Sequence, residues 1–164
     1  MNASTASDPA AKRNPVSVER TSDREIVVTR TFNGPARLVF DAWTKPELFA
    51  QWWVPQSMGM KLHSLDMDAR TGGSYRLDFG DGMVFFGTYL EVTPHSRIVW
   101  TNDEGDQNSS VTTVTFEEED GTTLLTMAEV YPSKEALDAA GTGAADATHE
   151  TFGQLDDLLT RLNV

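Results

Sequence analysis

Hydrophobic and polar positions alternate with a period of two over most of the middle of this chain, and change to a helical period near each end of that region. Arg24 to Phe32 is β-branched and partly alternating, and Asn33-Gly34-Pro35 ends it, which predicts a strand. Asn33 is placed to cap a helix over about Pro35 to Trp43, with Leu38, Val39 and Ala42 near one face. Thr44 and Glu47 have the spacing of a capping box, predicting a second short helix to about Trp53, stopped by Pro55. Six further strands follow: Met60–Asp68, Ser74–Phe79, Met83–Val92, Arg97–Asn102, Ser110–Glu118 and Thr122–Val130. They are separated by Thr71-Gly72-Gly73, Asp81-Gly82, Thr93–Ser96, an acidic loop over Asp103–Asn108, and Asp120-Gly121. Short connections between successive strands predict an antiparallel meander.

Ser133 is placed to cap a short helix over Lys134–Ala140, and Gly141-Thr142-Gly143 breaks it. From Ala144 to Leu162, Thr148, Phe152, Leu155, Leu159 and Leu162 recur on one helical face; Leu158 widens the stripe, and Asp156, Asp157 and Arg161 fall mostly outside it. Strand, two small helices, six strands and a long terminal helix give an α+β class with the helix on one face of the sheet. A strongly curved sheet around one helix leaves a hollow of the kind that takes small ligands.

Composition narrows the picture. The 164 residues suit one domain, read as residues 24–164, behind a polar tail over residues 1–23 that lacks hydrophobic periodicity. There is no cysteine, so disulfides, thiol nucleophiles and thiolate-bound metals are excluded. A net charge of −12 disfavours nucleic acid and anionic membrane surfaces. No apolar run follows Lys12 and Arg13, and no stretch has the length of a membrane span; the expectation is a cytoplasmic protein without membrane insertion.

The densest chemistry is aromatic. Val39 to Pro55 holds three of the four tryptophans and two of the eight phenylalanines. Such a cluster packs a core, walls a cavity, or does both. The expected cavity lining is Trp52 and Trp53 at the mouth, Tyr75, Leu77 and Phe79 on one strand face, one of Phe85 and Phe86 (Phe86 is the choice), and Trp100, Phe116, Met127 and Phe152. Tyr75, Tyr89 and Tyr131 are expected to orient a ligand. His63, His95 and His149 have no metal-ligand spacing, so no metal or cofactor is expected. Glu117 to Asp120 read as a solvated hairpin edge, and Glu129 is the carboxylate best placed to reach a cavity. No residue set is assigned a catalytic role.

Several stretches together resemble the homologues of the activator of heat shock protein 90 ATPase, within the START-like (SRPBCC, Bet v-like) helix-grip superfamily. They are Val39–Glu47 with Trp52–Pro55, the run DARTGGSY (68–75), GTYLEVTP (87–94), Arg97–Thr101, Val111–Phe116, Gly121–Leu124 and YPSKEALDAA (131–140). The resemblance covers about Arg24 to Leu162. It implies a curved antiparallel sheet wrapped around the long C-terminal helix, two short helices after the first strand, and an internal cavity for a small hydrophobic molecule. Carried beside that reading are a cavity enzyme acting on an aromatic or polyketide-like substrate, with Glu129 or His149 as its base, and a co-chaperone or stress-response module. A second copy of the chain and a chaperone are thus secondary candidate partners.

Overall fold

The computed structural model describes residues 16–54, 56–59, 61–80, 82–103, 110–140 and 148–162. The strands are β1 (Ser17–Arg20), β2 (Glu25–Phe32), β3 (Ser64–Met67), β4 (Ser74–Asp78), β5 (Val84–Thr93), β6 (Arg97–Asn102), β7 (Ser110–Glu119) and β8 (Thr122–Val130). The helices are α1 (Ala36–Thr44), α2 (Pro46–Phe49), α3 (Lys134–Ala140) and α4 (Thr148–Leu162), with a 3₁₀ turn at Gln56–Met58. The strands make one antiparallel sheet in the order β1-β2-β8-β7-β6-β5-β4-β3. The predicted meander runs from β3 to β8, and β8 closes against β2.

Pairing register fixes which side chains share a face. Phe116 stands beside Leu125, Val114 beside Met127, and Thr112 beside Glu129; Ile98 and Trp100 extend this row onto β6, and Phe32, Arg30 and Val28 onto β2. Phe116 meets Phe40 of α1, Phe32 meets Phe152 of α4, and Arg30 meets Asp156 of α4, so this is the inner face, covered by the helices. The strict alternation of buried and half-buried positions along β2 and β7 is the period-two signal of the sequence made physical. Between β7 and β8 the loop has Asp120 at φ 56° and Gly121 at φ 79°, the two positive angles of a type I′ hairpin.

Four expectations need correction. A strand, β1, pairs with β2 over Ser17–Arg20, inside the segment read as tail. Asn33 does not cap α1: the backbone N–H of Ala36 donates to Glu118 Oε1 at 2.8 Å. Glu118 stays exposed on the hairpin edge and places its carboxylate at a helix N-terminus, where the helix dipole favours it. Thr44 makes no capping box; it is the last residue of α1 and its hydroxyl donates back to the Phe40 carbonyl at 3.0 Å. Asp156 is buried rather than outside, because it pairs with Arg30 at 3.2 Å. Ser133 does cap α3, its hydroxyl accepting the Ala136 N–H at 3.0 Å. Residues 1–15 of the tail, 104–109 of the acidic loop and the Gly141–Gly143 break lie outside the described residues.

Candidate functional site

The space between helices and sheet is filled first by aromatic rings. Trp43 is their hub: its ring centroid lies 4.8 Å from Trp52, 5.7 Å from Trp53, 5.8 Å from Trp100, 6.3 Å from Phe152 and 6.4 Å from Phe116. Most of these contacts are edge-to-face, the arrangement the ring quadrupoles favour. Trp52 is fully buried, and its indole N–H donates to the Ala42 carbonyl at 2.9 Å. Trp53 is only half-buried and stacks on Phe49 at 4.8 Å. The segment after it is tied to α4. Gln154 donates to the carbonyls of Trp52 and Val54 and accepts the Gln56 N–H, each at 2.9 Å. Glu150 accepts both the N–H and the hydroxyl of Ser57, and these bonds hold its carboxyl below its ordinary range.

The residues predicted to line a cavity therefore divide by depth. Trp52, Leu77, Trp100, Phe116 and Phe152 are buried core. Trp53, Tyr75, Phe79 and Met127 are half-buried against it. Phe86 is a correction: it stands opposite Arg76, on the outer face, and is 43% exposed. Its neighbour Phe85 takes the inner position opposite Leu77 and meets the edge of Phe79 at 5.6 Å. The two faces were foreseeable from alternation, but their assignment hangs on one residue of register.

Along β6, β7 and β8 the inner face changes chemistry. It is apolar at Ile98, Val114, Phe116 and Leu125, then carries Asn102, Ser110, Thr112 and Glu129. The Asn102 side-chain carbonyl accepts from the Tyr75 hydroxyl at 3.2 Å and from the Trp100 indole at 3.3 Å. Its amide nitrogen donates to Ser110 Oγ and Thr112 Oγ1, both at 3.0 Å. The Ser110 hydroxyl in turn donates to Glu129 Oε2 at 2.6 Å. The Tyr131 hydroxyl bonds the same carboxylate; burial, then the charge and hydrogen bond of Glu129, push its pKa up to about 12, so it remains a donor. Tyr75 reaches this array by crossing the bare Cα of Gly87, its register partner, and donates to the Thr101 carbonyl at 2.7 Å. Tyr89 packs 5.7 Å from Tyr75, and burial, then the Asp68 charge, raises its phenol well above the ordinary range.

Sequence reasoning found Glu129, Tyr75 and Tyr131 but missed Asn102, Ser110 and Thr112. Thr112, Thr113 and Thr115 occupy both faces of β7, so composition hides which hydroxyls turn inward. The three histidines stay apart from the array: His63 precedes β3, His95 sits in the β5–β6 turn with its ring edge on Phe40, and His149 is exposed at the start of α4. Among the described residues no three His, Asp or Glu side chains converge as metal ligands. Elsewhere, Asp66, Asp68, Ser74, Arg76 and their neighbours line an open depression of about 430 Å³ along β3 and β4. No described helix is long and apolar enough to cross a membrane.

A curved antiparallel sheet, two short helices after β2 and a long C-terminal helix across the inner face define the START-like helix-grip class. Within it the chain belongs to the family described as activator of Hsp90 ATPase homolog 1-like proteins, whose model matches residues 33–160. Solved structures agree. A protein from Rhodobacter sphaeroides superposes with a TM-score of 0.79 at 24% identity, covering 90% of this chain and 99% of that one. Protein Ms6760 from Mycobacterium smegmatis gives 0.73 at 25%, covering 88% and 97%. A Staphylococcus epidermidis protein gives 0.70 at 29%, covering 88% and 94%. No curated protein sequence matches the chain.

Proposed function

We propose that this domain binds a small hydrophobic molecule against the inner face of its sheet. The observation that carries the reading is the change of that face from apolar to polar along three adjacent strands. A face serving only as core gains nothing from Asn102, Ser110, Thr112 and Glu129 turned toward the helices, since polar groups are costly to desolvate. A ligand site needs this arrangement: apolar walls for affinity and a few convergent polar groups for orientation. The half-buried Tyr75 and Met127 adjoin the array, with Met67 beside Tyr75, and supply adaptable apolar contact for the body of the molecule. Affinity comes from apolar area at about 25 cal/mol per Å², less the cost of association.

The test is titration with the neutral fluorophore N-phenylnaphthylamine, whose emission rises in apolar surroundings. Met127→Trp, which fills the inner face, is expected to weaken binding about tenfold, or ~1.4 kcal/mol. Phe86→Ser, on the outer face, is expected to leave it unchanged. Equal binding by the Met127 variant, or loss on changing Phe86, contradicts the site.

A further inference from the structure

We infer that the polar end of this face selects ligands whose head group donates a hydrogen bond, such as an alcohol or phenol, and rejects free carboxylates. The inference rests on the ligand-binding reading above and specifies its chemistry. Among the described residues Glu129 is the one acidic residue at the polar end of the inner face of β6, β7 and β8, Glu118 lying at the opposite end against α1, and an ionised carboxylate can only accept. Four neutral groups around it, Ser110, Tyr131, Tyr75 and Asn102, have protons that serve acceptors already in place. Ser110 and Tyr131 donate to Glu129, and Tyr75 donates to the Thr101 carbonyl. Asn102 is spent in both directions, accepting from Tyr75 and Trp100 while donating to Ser110 and Thr112.

Among the described residues no basic side chain is turned to an incoming anion there: Arg24, beside Tyr131, donates to the Pro132 carbonyl at 3.2 Å. The strands carry two inward-facing basic residues, Arg20 and Arg30. Arg30 is held by Asp156 at 3.2 Å, and Arg20 by Asp138 at 2.8 Å and by the carbonyls of Ser22 and Asp23. A carboxylate ligand would thus set a second negative charge beside Glu129 in a site half-shielded from water, where like charges repel strongly. A hydroxyl in the same position presents a proton to a charged acceptor, the stronger class of hydrogen bond.

The experiment displaces bound N-phenylnaphthylamine with three molecules sharing one hydrocarbon chain: dodecanol, methyl dodecanoate and dodecanoate. Dodecanol is expected to compete at a concentration at least about tenfold lower than dodecanoate, with the ester, neutral but without a donor, between them. Glu129→Gln is expected to narrow the gap between alcohol and carboxylate. Glu119→Gln, which removes the same charge from the exposed hairpin end of β7, is expected to leave it intact and so separates Glu129 from the overall charge of −12. An ester that competes as well as the alcohol, a carboxylate that competes best, or a gap unmoved by Glu129→Gln overturns the inference while binding itself stands. Failure of the fluorophore to bind at all overturns the binding reading and this inference with it.

Discussion

Pro46 has no N–H, so the Ala42 carbonyl, four residues earlier, has no helical partner. Trp52 supplies the missing donor from the far side of α2. Trp43 is its opposite: its indole N–H is buried without a hydrogen-bond partner among the described residues. The two tryptophans occupy similar ring-packed positions, so their phenylalanine variants isolate the hydrogen bond. Trp52→Phe orphans a buried carbonyl and is expected to destabilise by about 1–3 kcal/mol more than Trp43→Phe, measured by urea unfolding. Equal losses would contradict the role given to Trp52. The Arg30–Asp156 pair allows a second test. Asp156→Ala leaves a guanidinium buried and is expected to cost about 3–5 kcal/mol, while Arg30→Met with Asp156→Leu recovers most of it. Gly87→Ala would drive a methyl group into the Thr101 carbonyl and to 2.8 Å from the Tyr75 hydroxyl oxygen. A destabilisation of about 1–3 kcal/mol is expected, together with weaker fluorophore binding. None of these pairings was legible in the sequence. Trp52 is ten residues from its acceptor and Arg30 is 126 from Asp156; residue types state a capacity to bond, and only the fold supplies the partner.

At the scale of elements, the sequence located strands and helices well and their ends less well. Alternation marks a strand because only one face of it is buried, as β2 and β7 show. A helix start reads poorly when its cap arrives from elsewhere, as Glu118 does for α1 from β7. Short polar β1 has no hydrophobic pattern to betray it; it is a strand because β2 offers it an edge. The contact of α4 with the segment after Trp53 gives a pH prediction. Bonding to Ser57 holds Glu150 below its usual 4.5. The stabilisation it gives is therefore present above that pH and lost as pH falls through the depressed value. Hydrogen exchange at the Ser57 amide is expected to accelerate on acidification through that range, relative to neighbouring amides under the same conditions. Glu150→Gln is expected to remove most of this pH dependence; an unchanged profile would contradict the clamp.

For the whole molecule, the class followed from the order of elements, and the family match bears it out. The candidate site was legible only in part. The aromatic cluster announced a hub beneath the helices, and Trp52 is buried there together with Phe116 and Phe152 of the expected lining. The polar end stayed hidden because serine, threonine and asparagine in a strand usually face water, and a single residue of register decides which face they take. The proposed ligand binding depends on an inner face that is apolar along most of its length and polar at Asn102, Ser110, Thr112 and Glu129. The most direct measurement is a backbone amide NMR titration of the protein with dodecanol. Shifts are predicted to concentrate at Met67, Tyr75, Asn102, Ser110, Met127 and Glu129, and to saturate. Shifts centred instead on Phe86 and Leu90 of the outer face, or no saturable shift, would contradict it.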